Sequence, residues 1–342
     1  MAKQCIQVRP LEENSFGKVN SSAVLDYTQC KCYIALRPLF IYLKCFGLFY
    51  ERNERKGGTK QNAVFLLRAY CALTTVLHFL NTARCFTFFE KTEKFGHVLF
   101  MKIVITIYMF TASSYAALHF HKAKAIWKFF ETWEWLRQRY PGMENTEYLK
   151  SLKRVRIILI ALCFLIVIYN LVVIVPAPIS ATKKLVYFYF TPLQPDTLDL
   201  PTATMIFKST NIIANYYLSA ATCGMLLLFI CICYILWKEF SLFNNLVETS
   251  ISEDGLMTSD VEPLRIKHNR LCNLVRAADE VFSIYIGFTY VFPTLTLCLT
   301  GYNMIFSEKS TINIFMILGM IVIQATLLFL VSILAAIVNN QV

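Results

Sequence analysis

Six long apolar stretches dominate this sequence and limit what it can fold into. A helix needs about 20 apolar residues to cross a hydrocarbon core of ~30 Å. The stretches that meet this requirement are residues 64–88, 98–121, 155–175, 203–236, 281–306 and 312–338. The apolar runs are continuous and do not alternate with period two, so they predict helices and not the strands of a membrane barrel. We therefore expect an all-α, polytopic membrane protein.

The composition agrees with a membrane protein. Hydrophobic residues make up 56% of the chain and charged residues 16%. A soluble domain usually has an apolar fraction near a half and a charged fraction of about a quarter. The fourth stretch, 203–236, is longer than a single crossing needs, so part of it can extend outside the membrane.

Lys and Arg are distributed unevenly between the two sets of loops. Residues 1–63, 122–154 and 237–280 hold 23 of them, whereas the alternate loops 89–97, 176–202 and 307–311 hold 5. The positive-inside rule then predicts a cytoplasmic amino terminus in a multi-pass protein of the cell membrane. The net charge of +11 needs no nucleic acid to explain it, because the cytoplasmic bias and the lipid bilayer account for it.

Several functional classes are disfavoured. A G-protein-coupled receptor has its amino terminus outside, and neither Asp-Arg-Tyr at the inner end of a third span nor Asn-Pro-x-x-Tyr is present. His119 and His121 are two residues apart and face different sides of a helix, so they make a poor metal pair. The sequence contains no phosphate-binding glycine loop and no carboxylate cluster at membrane depth. We expect no enzyme activity, no cofactor and no bound metal.

Helical periodicity continues beyond the fourth span and before the fifth. A seam of mostly apolar residues repeats at three and four residues, at Trp237, Phe240, Asn244, Val247 and Ile251, then at Leu264, Leu271, Leu274, Ala278 and Val281, with Lys267 completing it. This pattern predicts a helical hairpin over 237–280, either an ordinary one or one that packs between subunits. The chain is then expected to divide into four regions. An amino-terminal region (1–63) is followed by a four-span ligand-binding bundle (64–236), the hairpin (237–280) and two further spans (281–342).

The stretch LRPLFIYLKCFGLFY, which begins at Leu36, is apolar but carries Arg37 and Lys44. It is too short and too charged to span a bilayer, yet long cationic side chains can snorkel from an apolar helix at the membrane interface. We interpret residues 33–50 as an interfacial or re-entrant helix. The alternative is a cytoplasmic helix packed on the rest of the protein.

This stretch looks like the L-R-P-L…G-L-F entry segment of insect gustatory receptors. RLCNLVRAADEVFSIYIGFTYVFPTLTLCLTGYNMI, residues 270–305, resembles the cytoplasmic helix and adjoining stretch of that family. Topology, length and loop pattern are similar over nearly the whole chain. The resemblance implies a seven-span, ligand-gated cation channel with a cytoplasmic amino terminus, which assembles as a homo- or hetero-tetramer and responds to a small-molecule tastant.

One family motif is absent. The family's last span carries Thr-Tyr, five mostly apolar residues and Gln-Phe, and this sequence has no such pattern up to Val342. From the resemblance we expect a seventh, pore-lining span beyond Val342, and no ligand-evoked current from residues 1–342 alone.

A polar stripe on the fourth span is the candidate ligand site. Its residues recur on one helical face and are Lys208, Asn211, Asn215, Ser219 and Thr222. Tyr108, Tyr169 and Asn170 lie at similar depth on neighbouring spans, as do Arg84 and Lys102. Intramembrane polar residues are costly and are functional candidates by default, so we expect a pocket open to the outside. The alternative is that these residues hydrogen-bond between helices or snorkel outward.

Two functional classes remain at this point. The first is a chemosensory ligand-gated channel, and the second is a multispan transporter or a membrane-embedded lipid-handling enzyme. A transporter is favoured by an internal repeat or by paired broken helices, and neither is visible in the sequence.

Overall fold

The computed structural model describes residues 31–50, 58–86, 97–139, 150, 153–165, 201–252, 260–306 and 311–341. These residues are almost entirely helical, and the described part of the chain contains no β-strand. The helices are α1 (Lys31–Cys45), α2 (Gly58–Cys85), α3 (His97–Arg139), α4 (153–165), α5 (Pro201–Thr249), α6 (Val261–Phe306) and α7 (Thr311–Asn339).

The predicted fold class is confirmed. Within the described residues, five helices are long and apolar enough to cross a membrane, and they belong to α2, α3, α5, α6 and α7. Each coincides with one of the predicted spans. The remaining predicted span, 155–175, overlaps α4 as far as residue 165, and its last ten residues lie outside the described part of the chain.

Three helices are far longer than the bilayer is thick. Helices α3, α5 and α6 have 43, 49 and 46 residues. At 1.5 Å per residue each is more than about 60 Å long, roughly twice the hydrocarbon thickness. Their extensions, residues 122–139, 237–249 and 261–280, pack together at one end of the bundle, which we call the basic end because its loops are rich in Lys and Arg.

The seam predicted on the extension of α6 is buried. Leu264, Lys267, Leu271, Leu274, Ala278 and Val281 are all less than 9% exposed. This face contacts α5, where the Phe243 ring lies 5.6 Å from the His268 ring, and also α3, where Arg270 lies 4.3 Å from the Trp135 ring centroid. The hairpin is therefore one part of a three-helix layer that includes α3.

The core is rich in aromatic residues where α1, α3, α5 and α6 meet. The Phe40 ring stacks on Trp127 at 5.9 Å and on Phe49 at 5.1 Å. The Tyr285 ring lies 5.1 Å from Tyr115. The Phe229 ring of α5 lies 5.9 Å from Tyr285, so ring contacts join α1 to α3, α3 to α6, and α5 to α6. Helices α2 and α7, by contrast, leave broad apolar faces exposed, which suits contact with lipid.

Helix α1 is amphipathic and is wedged into the bundle. Leu36, Leu39, Phe40 and Leu43 are at most 1% exposed, whereas Ile34, Arg37 and Ile41 point outward. The buried positions follow the i, i+3, i+4, i+7 rule of a one-sided helix. The apolar residues of the stretch LRPLFIYLKCFGLFY thus pack mainly on the protein, while its outward face combines apolar and cationic groups.

A glycine turn ends α1 and joins it to α2. Gly47 has a φ of 63°, and the amides of Gly47 and Leu48 donate to the carbonyls of Lys44 and Leu43, the pattern of a glycine helix cap. Thr74 Oγ1 donates to the Gly47 carbonyl at 3.0 Å. Trp127 Nε1 donates to the carbonyl of Tyr50 at 3.2 Å. These contacts fix both the end of α1 and the segment that follows it.

We expect Gly47→Ala and Gly224→Ala to destabilise the protein by about 1–3 kcal/mol through overpacking. A Cβ at Gly47 would lie 2.6 Å from Thr74 Oγ1 in a backbone conformation that alanine disfavours, and one at Gly224 would lie 2.7 Å from Leu43 Cδ2. The control is Gly301→Ala, because nothing lies within 4 Å of its Cβ position. Thermal unfolding of the purified protein in detergent measures the effect, and equal midpoints for all three variants would contradict the packing of α1.

Candidate functional site

Small hydroxyl side chains line the contact between α2 and α3. Thr82 Oγ1 and Ser113 Oγ form a 2.7 Å hydrogen bond, and Ser113 Oγ also contacts the His78 carbonyl at 3.0 Å. All three residues are buried. Small polar residues let membrane helices approach closely and hydrogen-bond across the contact. This network therefore holds α2 against α3.

Six predicted site residues have described side chains, namely Arg84, Lys102, Tyr108, Asn215, Ser219 and Thr222. Tyr108 is half-buried and packs on a small apolar cluster made by Cys85, Ile105, Met109, Ala112 and Leu218. Asn215 is half-buried and Ser219 is buried. Lys208 and Asn211 lie in α5, but their side chains are outside the described set, and Tyr169 and Asn170 are also outside the described residues.

Tyr108 and the polar stripe of α5 are linked through a shared apolar cluster. Tyr108 packs against the cluster that contains Leu218, the residue next to Ser219. Ser219 itself forms a side-chain hydrogen bond with Cys223, one turn along the same helix. Thr222 Oγ1 likewise donates within α5, to the Leu218 carbonyl at 3.3 Å. Ser219 and Thr222 thus bond within their own helix, and Asn215 lies about one turn further from the basic end.

Aromatic residues flank the polar stripe on the side that faces α1. The Phe46 ring lies 5.3 Å from both Tyr216 and Tyr217. Tyr217 hydrogen-bonds to Tyr70 at 3.0 Å, and Tyr70 donates to the Cys45 carbonyl at 2.8 Å. The end of α1 therefore lies directly beside the part of α5 that carries Asn215. The sequence carries no signal for this contact, because Phe46 lies about 170 residues before Tyr216 and Tyr217 in the chain.

A buried ion pair lies in the extensions at the basic end. Glu239 of α5 is 1% exposed and accepts hydrogen bonds from Arg137 and Trp133 of α3. The Arg137 Nε and Trp133 Nε1 atoms each lie 2.8 Å from Glu239 Oε1. Charge-assisted bonds of this kind are strong and directional. They fix α3 against α5 outside the apolar core.

A second cation lies near this pair. Lys267 of α6 is 3% exposed, interacts electrostatically with Glu239, and its ammonium lies 5.9 Å from the Phe243 ring centroid. All three extensions therefore contribute a charged side chain to one buried cluster. The sequence did place Lys267 on the buried seam, but the partnership of Glu239 with Arg137 spans 102 residues and leaves no local signal.

The described residues contain no group of three or more His, Cys, Asp or Glu side chains that could hold a metal ion. His119 is fully buried in the bundle and has no carboxylate or thiol partner among the described hydrogen bonds. The polar groups of Tyr108, Asn215 and Ser219 are a phenol, an amide and a hydroxyl. Such groups bind a small neutral or weakly polar ligand through hydrogen bonds.

Comparison with known proteins identifies the family to which the sequence is similar. A family model described as 7tm chemosensory receptor matches residues 36–342. No protein of curated function matches the chain significantly. The matched range begins at Leu36 in α1 and includes every membrane-spanning helix described above.

Replacing Glu239 with Gln should lower the free energy of unfolding by about 3–5 kcal/mol, because it leaves the buried Arg137 without its counter-charge. The midpoint of thermal unfolding and the yield of monodisperse protein in detergent measure this loss. The matched control is Glu262→Gln, which removes an ion pair whose side chains are about half exposed and should leave the midpoint unchanged. An unchanged midpoint for Glu239→Gln would show that the ion pair contributes little.

Proposed function

Because the chain belongs to the 7tm chemosensory receptor family, we propose that it is a gustatory receptor that acts as a ligand-gated, non-selective cation channel. The match over residues 36–342 is the observation that carries the receptor assignment. The channel, its tetrameric assembly and a tastant as stimulus are the finer part of the proposal. They are supported by the family membership and by two features of the structure.

The first feature is the polar stripe of α5 and its surroundings. Asn215 lies beside an aromatic wall made by Phe46, Tyr216 and Tyr217, while Tyr108 approaches from α3. A few polar groups among aromatic and apolar side chains are typical of a small-molecule site. We place the ligand here, with Lys208, Asn211, Asn215, Ser219, Tyr108, Tyr169 and Asn170 as candidate contacts.

The second feature is the surface of the basic end. The extensions reach beyond the thickness of the hydrocarbon core, yet they expose large apolar side chains at Trp135, Leu246, Val261 and Ile266, and Ile251 is exposed just beyond the end of α5. A contiguous apolar patch on such a surface marks a contact with other protein, and these side chains are its candidate members. We place the subunit contacts of a homo- or hetero-tetramer here, on the cytoplasmic side of the cell membrane.

Asn211→Leu or Asn215→Leu should shift the dose-response curve for an activating tastant roughly 5- to 150-fold to higher concentration, since a lost polar contact costs about 1–3 kcal/mol. Currents from cells expressing a full-length version of the receptor, which includes the seventh span expected from the resemblance, supply the curve, tested first with a panel of sugars and bitter compounds. Surface biotinylation checks that expression is unchanged.

The matched control is Asn273→Leu, the same chemical change on an exposed face of α6 at the basic end. It should leave the dose-response curve in place. If both stripe variants respond like the parent receptor, the ligand does not contact α5 at these positions. If they lose surface expression instead, the asparagines hold helices together.

An epitope tag inserted between residues 253 and 259 should be detected only after permeabilisation, because the Lys- and Arg-rich loops predict a cytoplasmic location. A tag placed between residues 176 and 202 should be accessible on intact cells. Labelling of the first tag on intact cells would reverse the orientation and would place the proposed subunit contacts outside the cell.

A further inference from the structure

Arg68 of α2 lies at the boundary between a membrane span and the basic end. It follows Asn62, the first residue of the span, by six residues, which is roughly 9 Å along the helix. The Arg68 side chain is exposed, and Phe65, one helical turn earlier, is 70% exposed. A long cationic side chain on an apolar, lipid-facing helix extends to the polar headgroups at the interface.

Tyr50 holds the Arg68 guanidinium at this boundary. The guanidinium carbon lies 5.8 Å from the Tyr50 ring centroid, a cation–π contact. The Tyr50 ring lies 5.6 Å from Phe120, and the Tyr50 carbonyl accepts a hydrogen bond from Trp127 Nε1 at 3.2 Å. Phe120 lies just before the extension of α3, and Trp127 lies within it. Tyr50 is therefore fixed at the level where α3 leaves the span.

The N–H groups of Arg68 remain available to a ligand. A guanidinium carries five N–H donors in a planar fork, and the contact with the Tyr50 ring uses none of them in a hydrogen bond. Among the described residues Arg68 forms no hydrogen bond and no ion pair. A planar guanidinium positioned on a ring is suited to paired hydrogen bonds with a phosphate group.

A second exposed cation lies near this surface. Lys124 is one helical turn after Phe120 on the same side of α3, and its side chain is exposed. Lys124 has no acidic partner in the described part of the chain, whereas Lys128, one turn further on, lies 3.7 Å from Glu280. Arg68 and Lys124 therefore leave a positive charge at this surface, which favours an anionic partner.

The apolar side chains beside Arg68 favour a lipid over a soluble anion. Phe65 and Leu66 are both largely exposed, and both lie within the span. They face the acyl chains of the bilayer, and Arg68 lies near the level where acyl chains end and phosphates begin. A phospholipid covers both the apolar side chains and the cation, whereas a free phosphate ion covers only the cation.

We propose that Arg68, held on the Tyr50 ring, binds the phosphate of an anionic phospholipid in the leaflet next to the basic end. Lys124 adds to the positive charge that selects such a lipid. Because Tyr50 follows the glycine turn at the end of α1, the bound lipid contacts the segment that joins α1 to α2. The proposal does not depend on the proposed ligand site or on channel activity.

The first test is native mass spectrometry of the intact receptor, titrated in detergent with phosphatidylserine or with phosphatidylcholine of identical acyl chains. The receptor should bind phosphatidylserine more tightly. Arg68→Gln should weaken phosphatidylserine binding roughly tenfold or more, because it removes a charged hydrogen-bond donor. Arg68→Lys should give an intermediate affinity, since it keeps the charge and loses the planar fork.

The matched control is Arg265→Gln, which removes the same charge from an exposed position of α6. Arg265 lies sixteen residues before the predicted span that begins at residue 281, roughly 24 Å along the helix, so the affinity for phosphatidylserine should be unchanged. Equal affinity of the parent receptor and Arg68→Gln would overturn the proposal. So would an equal loss in Arg265→Gln, or equal binding of the two lipids by the parent receptor.

The second test compares two variants of Tyr50 in the same titration. Tyr50→Phe keeps the ring and should bind phosphatidylserine like the parent receptor. Tyr50→Leu removes the ring face that holds Arg68 and should weaken binding roughly two- to fivefold. The midpoint of thermal unfolding checks that both variants are folded. Parent-like affinity in Tyr50→Leu would overturn the role of Tyr50 in positioning Arg68.

Discussion

Within the bilayer no water satisfies the backbone, and this constraint governs the rest of the structure. Helices satisfy the hydrogen bonds of the main chain, and the hydroxyl side chains also find their hydrogen-bond partners within the protein. Most Ser and Thr residues of the described spans donate to the carbonyl one turn earlier, as Thr75 does to Cys71 at 2.8 Å and Thr111 to Ile107 at 2.7 Å. A hydroxyl that bonds to its own helix carries little information about a ligand. Polar groups that cannot bond in this way, such as the amide of Asn215 and the imidazole of His119, are therefore the informative ones.

The sequence predicts what depends on local pattern. Continuous apolar runs located five long helices, and the 3.6-residue period located the buried seam from Leu264 to Val281, including Lys267. The glycine that ends α1 also has a recognisable local signature. The packing partners of α1 have no such local signature. The contacts of Leu43 with Gly224 and of Trp127 with Tyr50 join residues that are far apart in the chain. For the candidate site, the period placed Asn215 and Ser219 on one stripe, but only the structure shows that Ser219 bonds within α5 and that Tyr108 packs beside Leu218.

Helix α1 connects the two halves of the molecule. Its carboxyl end contacts Tyr70, Tyr216 and Tyr217 next to Asn215, while Phe40 stacks on Trp127 in the extension of α3. If a ligand changes the distance between α2 and α5, that change therefore acts on groups that contact the end of α1. The buried face of α1 is closely packed along its fifteen residues, although Pro38 within the helix removes one backbone hydrogen bond and favours a kink. Helix α1 is a physical route between the proposed ligand site and the basic end, and this route requires α1 to have two stable positions.

The bonds between helices differ in strength along the bundle. Away from the basic end the described hydrogen bonds between helices include neutral contacts such as Thr82 with Ser113 and Tyr290 with Ser332, each contributing about 0.5–1.5 kcal/mol. At the basic end Glu239 joins α5 to α3 through two side chains, and breaking such a buried pair costs about 3–5 kcal/mol. The hydroxyl bonds that lie within one helix place no restraint on its neighbours. Rearrangement is therefore expected in the half that holds the polar stripe, with the three extensions moving as one unit around the pair of Arg137 and Glu239.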